Sequence, residues 1–217
     1  MKLRVQQLLL LVFITSTFSC NPQKWKEIPQ DGYTLIQNKG GQQLGYTPAT
    51  GVKIITEGGF AFKDLNRNGT LDPYEDWRLS YNERASNLAS QLSIEEIAGL
   101  MLYSSHQSIP ARSRGYFAGT YNGQPYEEGK TDPSDLTDQQ KEFLEKDNLR
   151  HVLITTVKSP AVAARWNNKL QTFCESIGKG IPANNSSDPR HGTRAKAEYD
   201  AASGGEISMW PNSLGMA

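Results

Sequence analysis

The stretch HVLITTVKSPAVAARWNNKLQTFCESIGKGIPANN, residues 151–185, decides the fold class. Its first six residues, His151–Thr156, form a nearly continuous apolar run that is typical of a buried strand. Ser159-Pro160 supplies an N-cap and a first-turn proline, so the sequence predicts a helix over 161–177. A second strand is predicted over 181–185. A strand, a helix and a strand with short links indicate a parallel sheet covered by helices, and hence an α/β fold.

The composition excludes several classes of protein. The 217 residues include 23 Lys or Arg and 23 Asp or Glu, so the formal net charge is zero. Such a chain lacks the excess of positive charge that neutralises phosphates, and we expect no nucleic-acid partner. The 4 Trp, 9 Tyr and 7 Phe are too many aromatic residues for a disordered chain. Two cysteines cannot form a disulfide framework, and Cys174 is interpreted as a small buried apolar residue of the predicted helix.

The first twenty residues have the pattern of an export signal. Lys2 and Arg4 give a positive start, and Leu8–Ile14 is an apolar run too short to span a bilayer. Residues 1–19 are therefore predicted to be a signal peptide. Cys20 follows mostly small residues, as in a bacterial lipobox, so we expect lipidation of its thiol and anchoring to a membrane. The alternative is an ordinary signal peptide with an incidental cysteine. The protein is expected in the periplasm or at the cell surface.

The rest of the chain divides into an irregular segment and a region with helices. Residues 20–79 are polar and rich in Gly, Gln and Thr, with one strand predicted over 52–56. Residues 104–133 are loop-like and carry aromatic side chains, which fits either a binding role or a loop that packs on itself. Three helices are predicted from their N-terminal capping residues. These residues are Ser80, Ser93 and Thr137.

Residues 64–75, DLNRNGTLDPYE, match the spacing of an EF-hand calcium loop at every fixed position. Hard Ca2+ prefers oxygen ligands, which the loop offers on alternate residues, and Gly69 allows the sharp turn. Arg67 should weaken the affinity somewhat. The predicted ligands are Asp64, Asn66, Asn68, the Thr70 carbonyl, Asp72 and Glu75. A single loop is typical of a structural Ca2+ site; the alternative is an Asn/Gly turn without metal.

Four stretches together resemble glycoside hydrolase family 3, the family of β-glucosidases and β-xylosidases. They are Asp72–Arg78 (DPYEDWR) with Leu92–Met101 (LSIEEIAGLM), Trp166–Gln171 (WNNKLQ), Gly180–Gly192 (GIPANNSSDPRHG) and Ile207–Gly215 (ISMWPNSLG). The resemblance covers residues 60–217. It implies that residues 80–217 are the first part of a (β/α)8 TIM barrel. The expected fold is thus a partial barrel, preceded over 20–79 by an irregular segment with an EF-hand-like calcium loop.

Asp188 is the main candidate for binding substrate. It follows the second predicted strand, and the carboxyl ends of barrel strands carry the chemistry of that fold. A carboxylate there can accept two charge-assisted hydrogen bonds from adjacent hydroxyls. The resemblance implies that Asp188 binds hydroxyls of the non-reducing sugar with His191 beside it, and Arg190 is a candidate for keeping Asp188 ionised. By local chemistry alone, a helix cap or turn is the alternative for Asp188.

The two catalytic carboxyl groups are not identifiable in these residues. A retaining glycosidase needs a nucleophile and an acid/base about 5 Å apart. The family's nucleophile motif, near Ser-Asp-Trp or Thr-Asp-Tyr, and its Lys-His pair are both absent from the sequence. A full barrel takes about 250 residues. We therefore expect the N-terminal part of an exported enzyme that cleaves terminal β-linked glucose or a related sugar from a β-glucoside or oligosaccharide, inactive as this piece.

The rival hypothesis is a non-catalytic surface lipoprotein, stabilised by calcium, that binds glycans. The downstream reading frame distinguishes the two, because only the enzyme requires the nucleophile motif and the Lys-His pair.

Overall fold

The computed structural model describes residues 22–115 and 118–187. The predicted signal peptide, Cys20, Asp188, Arg190 and His191 lie outside these ranges. The strands are β1 (Trp25–Pro29), β2 (Thr34–Asn38), β3 (Leu44–Tyr46), β4 (Lys53–Glu57), β5 (Phe60–Asp64), β6 (Tyr103–Ile109), β7 (Thr120–Tyr121), β8 (Gln124–Pro125), β9 (His151–Val157) and β10 (Asn184–Ser187). The helices are α1 (Tyr81–Gln91), α2 (Ile94–Leu100), α3 (Asp138–Glu145) and α4 (Pro160–Ser176), with a short 3-10 helix over Pro48–Thr50.

The segment before residue 80 is more regular than its composition indicates. β1, β2 and β3 form an antiparallel sheet in that order, and β4 pairs with β5 in a hairpin. β4 corresponds to the strand predicted over 52–56. Asn38 of β2 joins the two sheets, because its Nδ2 donates to the Ala61 carbonyl at 3.1 Å and its Oδ1 accepts the Ala61 N–H at 2.8 Å. The prediction of an irregular segment is therefore wrong.

A second layer of structure is built on a parallel sheet. Its strand order is β10-β9-β6, and α4 connects β9 to β10. The strand, helix and strand expected over 151–185 are thus present, although β10 begins three residues later than predicted. The core between α3, α4 and this sheet includes Val152, Leu144, Trp166 and Leu170, all fully buried. Cys174 is also fully buried in this core, and its burial raises the pKa of the thiol.

The prediction of a partial TIM barrel is wrong. The strands of residues 22–115 and 118–187 are divided among four small sheets of two or three strands, and these ranges contain no closed barrel. A barrel closes only when every strand pairs on both sides. Within the same ranges β6 and β10 each pair on one side, with β9 between them. The antiparallel sheets form no hydrogen-bonded ladder with this parallel sheet.

β6 lies where the sequence predicts the start of a loop. It reads YSSHQSI, and this polar pattern predicts no strand. Ser104 and Ser108 are nonetheless buried, because their hydroxyls find partners. Ser104 Oγ accepts the Leu153 N–H of β9 at 2.9 Å, and Ser108 Oγ donates to the Pro110 carbonyl at 2.9 Å. The loop prediction is therefore wrong for residues 104–109.

The starts of α1, α2 and α3 agree with the predicted caps. Ser80, Ser93 and Thr137 each accept a hydrogen bond from the backbone N–H three residues further on, and the side chain of that third residue accepts the N–H of the cap. These reciprocal bonds satisfy donors that a helix start leaves free. None of the helices in the two described ranges has the length and apolar character needed to cross a bilayer.

Candidate functional site

The parallel sheet brings three strand ends to one edge. β6 ends at Ile109 and β9 at Val157, and β10 is described as far as Ser187, which pairs with Ile154 of β9. Because the strands run in the same direction, their carboxyl ends lie at the same edge. The N–H of Lys158 donates to the Ile109 carbonyl at 2.8 Å, which holds two of these ends together. Asp188 is the next residue after Ser187, so the candidate site begins where the described part of β10 stops.

Two of the family-like stretches contact each other through amide side chains. Gln171 of α4 donates from Nε2 to the Ala183 carbonyl at 3.0 Å and accepts the Ala183 N–H on Oε1 at 3.1 Å. Asn167, one turn earlier, accepts a bond from Asn185 Nδ2 at 2.6 Å. Asn185 Oδ1 is buried and has no hydrogen-bond partner among the described residues. These bonds hold β10 on α4, and so fix the point at which the chain continues to Asp188.

The acidic residues of the predicted calcium loop accept hydrogen bonds from the loop itself. Glu75 Oε1 accepts the N–H groups of Leu65 and Asn66 at 2.7 and 3.2 Å, and Oε2 accepts that of Asp72 at 3.0 Å. Asp72 Oδ2 accepts the side-chain amides of Asn66 and Asn68 at 2.6 and 2.7 Å. Burial raises the pKa of Glu75, although these N–H donors favour its ionised form.

The structure does not support an EF-hand-like calcium loop. A strand, β5, precedes residues 64–75 instead of a helix. In the ranges 22–115 and 118–187, no group of three or more His, Cys, Asp or Glu side chains could hold a metal ion. Thr70 contributes its N–H and hydroxyl to Asn68 Oδ1, both at 2.7 Å. One observation fits a cation: Asp64 Oδ1 is buried without a hydrogen-bond partner in these ranges, while Asp64 Oδ2 accepts the Gly69 N–H at 3.0 Å.

The residues just after the loop have a structural role. Arg78 donates to Asp76 through Nε and Nη2, at 2.8 and 2.6 Å, and this two-point contact holds the pKa of Asp76 below its usual range. Trp77 stacks on Phe62 of β5 with ring centroids 5.1 Å apart. The guanidinium carbon of Arg78 lies 4.7 Å from the Phe62 centroid. The family-like stretch DPYEDWR thus holds the chain against β5.

Arg67 makes a long-range contact that the sequence does not reveal. Its guanidinium extends from residues 64–75 toward other parts of the chain. It donates to the carbonyls of Glu175 at 2.6 Å, Thr50 at 3.2 Å and Gly178 at 3.2 Å. Glu175 lies in the last turn of α4, where carbonyls lack helical partners. Arg67 has a φ of 62°, which is uncommon for a residue with a Cβ atom. The contact fastens the loop to the end of α4.

Comparison with known proteins shows the relationship of the chain. A periplasmic β-glucosidase/β-xylosidase from Dickeya chrysanthemi is 36% identical over 167 residues, which are 77% of this chain and 23% of that protein. This chain contains a β-glucosidase-related region. A probable β-glucosidase C from Aspergillus oryzae is 26% identical to this region over 157 residues, which are 70% of the chain and 21% of the relative. No family model matches the chain.

The comparisons confirm the resemblance to glycoside hydrolase family 3 that the four sequence stretches indicate. The β-glucosidase-related region is therefore glycoside hydrolase-like. The chain spans between a fifth and a quarter of the length of these curated relatives.

Proposed function

We propose that this chain supplies the sugar-holding part of an exported glycoside hydrolase that removes terminal β-linked glucose or a related sugar. The observation that carries the proposal is the 36% identity to a periplasmic β-glucosidase/β-xylosidase over 167 residues. The parallel sheet supports it, because its three strands run toward one edge and Asp188 follows the described part of β10 directly in sequence.

The proposed role of Asp188 is to bind the terminal sugar. A carboxylate accepts two hydrogen bonds from neighbouring hydroxyls, and such charge-assisted bonds are stronger than neutral ones. Arg190 keeps this carboxylate ionised, and His191 supports it. The bonds of Gln171 and Asn167 act indirectly, since they hold Ala183 and Asn185 beside α4.

The proposed hydrolysis is retaining, with a nucleophile and an acid/base about 5 Å apart. Neither carboxyl is identifiable by motif among these 217 residues, so we expect both catalytic carboxyl groups to belong to residues outside them. We therefore expect the 217 residues alone to show no turnover of an aryl β-glucoside. Measurable turnover by the purified 217-residue chain would contradict this part of the proposal.

The role of Asp188 is tested in a protein that contains these 217 residues together with the catalytic carboxyl groups. The substrate is an aryl β-glucoside. Asp188→Ala should lower kcat/KM about 10- to 100-fold, because a hydrogen bond to a charged group contributes roughly 1.5–3 kcal/mol. Asp147→Ala is the matched control, since Asp147 is exposed and lies before the first residue of β9, at the opposite end of the sheet. If Asp188→Ala has the kcat/KM of the wild type, Asp188 does not bind the substrate.

The proposed location is the periplasm or the cell surface, with a lipid on Cys20. The pattern of residues 1–20 supports it, and the D. chrysanthemi relative is named as periplasmic. Cys20→Ser should release the protein from the membrane fraction, and labelled fatty acid should enter only the wild type. A wild type that takes up no label would leave the ordinary signal peptide as the explanation.

A further inference from the structure

A large cleft lies along the exposed side of α4. Its volume is about 930 Å3, within the range of small-molecule sites. It is bounded by the β1–β3 sheet, by α4 and by the segment around Tyr121 and Leu136. α4 buries Val162, Trp166 and Leu170 in the core with the parallel sheet, whereas other residues of the same helix line the cleft. The cleft therefore lies on a different face of α4 from the core.

Two tyrosines, Tyr33 and Tyr46, line the cleft near β3. Tyr33 is 47% exposed, and a Cβ placed on Gly45 would lie 3.7 Å from its ring, so the ring rests beside the glycine backbone. Tyr46 also lines the cleft, but it follows Gly45 in β3, so its side chain leaves the strand on the opposite face. The Tyr46 hydroxyl donates to Glu27 Oε1 at 3.3 Å, which holds the ring in place. Such rings present an apolar face together with a polar tip.

Hydrogen-bonding groups line the other wall, on α4. Asn168 and Thr172 are exposed and one turn apart, so both can face the same ligand. Glu175 follows at the end of the helix, and its Oε1 is buried without a hydrogen-bond partner among the described residues. The Asn168 amide and the Thr172 hydroxyl give this wall both donors and acceptors.

The charges of the cleft argue against an ionic ligand. Three acidic and three basic residues line it, so their formal sum is zero: Asp31, Asp135, Glu175, Lys141, Arg165 and Lys169. Asp135 is paired with Lys169 at 2.5 Å, and Glu175 is paired with Lys63 at 2.5 Å. A ligand with a net charge would have to compete with these pairs, whereas a neutral one would not.

We propose that this cleft is a second carbohydrate site, which binds a neutral oligosaccharide without hydrolysing it. Tyr33 packs against the apolar C–H face of a sugar ring, while Asn168 and Thr172 bond to the hydroxyls. The inference does not rest on the proposed hydrolysis, because none of these residues belongs to the Asp188 site.

The test is a calorimetric titration of the purified protein with cellotetraose and, separately, with xylotetraose. For whichever oligosaccharide binds the wild type, Tyr33→Ala should raise the Kd at least tenfold. Tyr33→Phe should bind it like the wild type. Tyr81→Ala is the matched control, because Tyr81 is 86% exposed and does not line the cleft. Circular dichroism of each variant establishes that the fold is retained.

Asp188→Ala separates this proposal from the proposed hydrolysis. Binding in the cleft should be unchanged in Asp188→Ala, even where that variant loses activity. Loss of binding in Asp188→Ala would place the oligosaccharide at the Asp188 site and overturn the inference. Absence of binding by the wild type, or equal binding by wild type and Tyr33→Ala, would overturn it as well. Neither result would bear on the effect of Asp188→Ala on kcat/KM.

Discussion

The indole Nε1 of Trp166 donates a hydrogen bond of 3.2 Å to Oε1 of Gln140, and both side chains are almost fully buried. The same oxygen accepts the N–H of Thr137 at 3.1 Å and so completes the capping box of α3. Gln140 Nε2 donates to Gln107 Oε1 of β6 at 3.1 Å. One amide therefore joins the start of α3, the middle of α4 and a strand of the parallel sheet.

Gln140→Leu should lower the free energy of unfolding by about 2–4 kcal/mol. The indole N–H and the Thr137 N–H would lose their acceptor inside the core, and each unsatisfied buried group costs about 1–3 kcal/mol. Urea denaturation followed by fluorescence measures the change. Gln43→Leu is the control, since Gln43 is exposed, and it should stay within about 0.5 kcal/mol of the wild type. A loss below about 1 kcal/mol in Gln140→Leu would mean that the bonds contribute little.

The helix starts could be predicted because their signals are local. A capping box needs only Ser80 and Glu83, or Thr137 and Gln140, and these residues bond to each other in the structure as the spacing indicates. β9 could be predicted because its apolar run is nearly continuous, whereas a strand with one face in solvent alternates apolar and polar residues. The four buried α4 residues of the core recur every four positions, as helical spacing predicts: Val162, Trp166, Leu170 and Cys174.

Other elements depend on partners that are distant in sequence. β6 has a polar sequence and is a strand because Ser104 bonds to Leu153, 49 residues away. The β1–β2 hairpin had one available signal, the Asp31-Gly32 pair, which is typical of hairpin turns. The partial barrel was inferred from the family resemblance, and closure requires long-range strand pairing that the described residues do not make. No property of Arg67 in the sequence indicates that its partner is Glu175.

Arg67→Ala should destabilise the protein by about 1–3 kcal/mol, because the carbonyls at the end of α4 lose a charged donor. Arg67→Gly loses the same contacts, but glycine adopts positive φ without steric cost. Arg67→Gly should therefore be less destabilised than Arg67→Ala. Chemical denaturation of both variants measures the two contributions. Two variants with equal stability would show that the φ of 62° carries no strain.

Calcium binding by residues 64–75 stays a proposal that thermal melting can test. A cation that binds only the folded state at a hundredfold excess over its Kd stabilises it by about 2.7 kcal/mol. The melting temperature should rise with Ca2+ in the wild type and not in Asp64→Asn, because Asp64 Oδ1 is the oxygen left without a hydrogen bond. Mg2+ is the control ion, since it demands a tighter octahedral site. If the melting curves of the wild type in Ca2+ and in chelator coincide, residues 64–75 do not bind Ca2+.

Asp138 should make stability depend on pH in the acid range. Its carboxylate accepts the Gly123 N–H at 2.8 Å, the Thr120 hydroxyl at 2.7 Å and the Asn122 N–H at 3.0 Å, and these bonds hold its pKa below the usual value. A lowered folded pKa stabilises the protein above the unfolded pKa, about 3.9 for Asp, and this stabilisation is lost as pH falls through the folded pKa.

Asp138→Asn should therefore be less stable than the wild type at pH 7, with the difference shrinking toward pH 2. Urea denaturation at a series of pH values measures both curves. Asp147→Asn, at an exposed position, should follow the wild-type curve. Parallel curves for wild type and Asp138→Asn would show that the carboxylate is not the group that titrates.

The bond between Arg67 and Glu175 has a consequence for the timing of synthesis. The two residues are 108 positions apart, and a ribosome adds about 5–20 residues per second. Arg67 is therefore synthesised roughly 5 to 20 seconds before the helix end that it contacts. During that interval Arg67 has no partner at α4, and the early part of the chain is open to any factor that binds nascent protein.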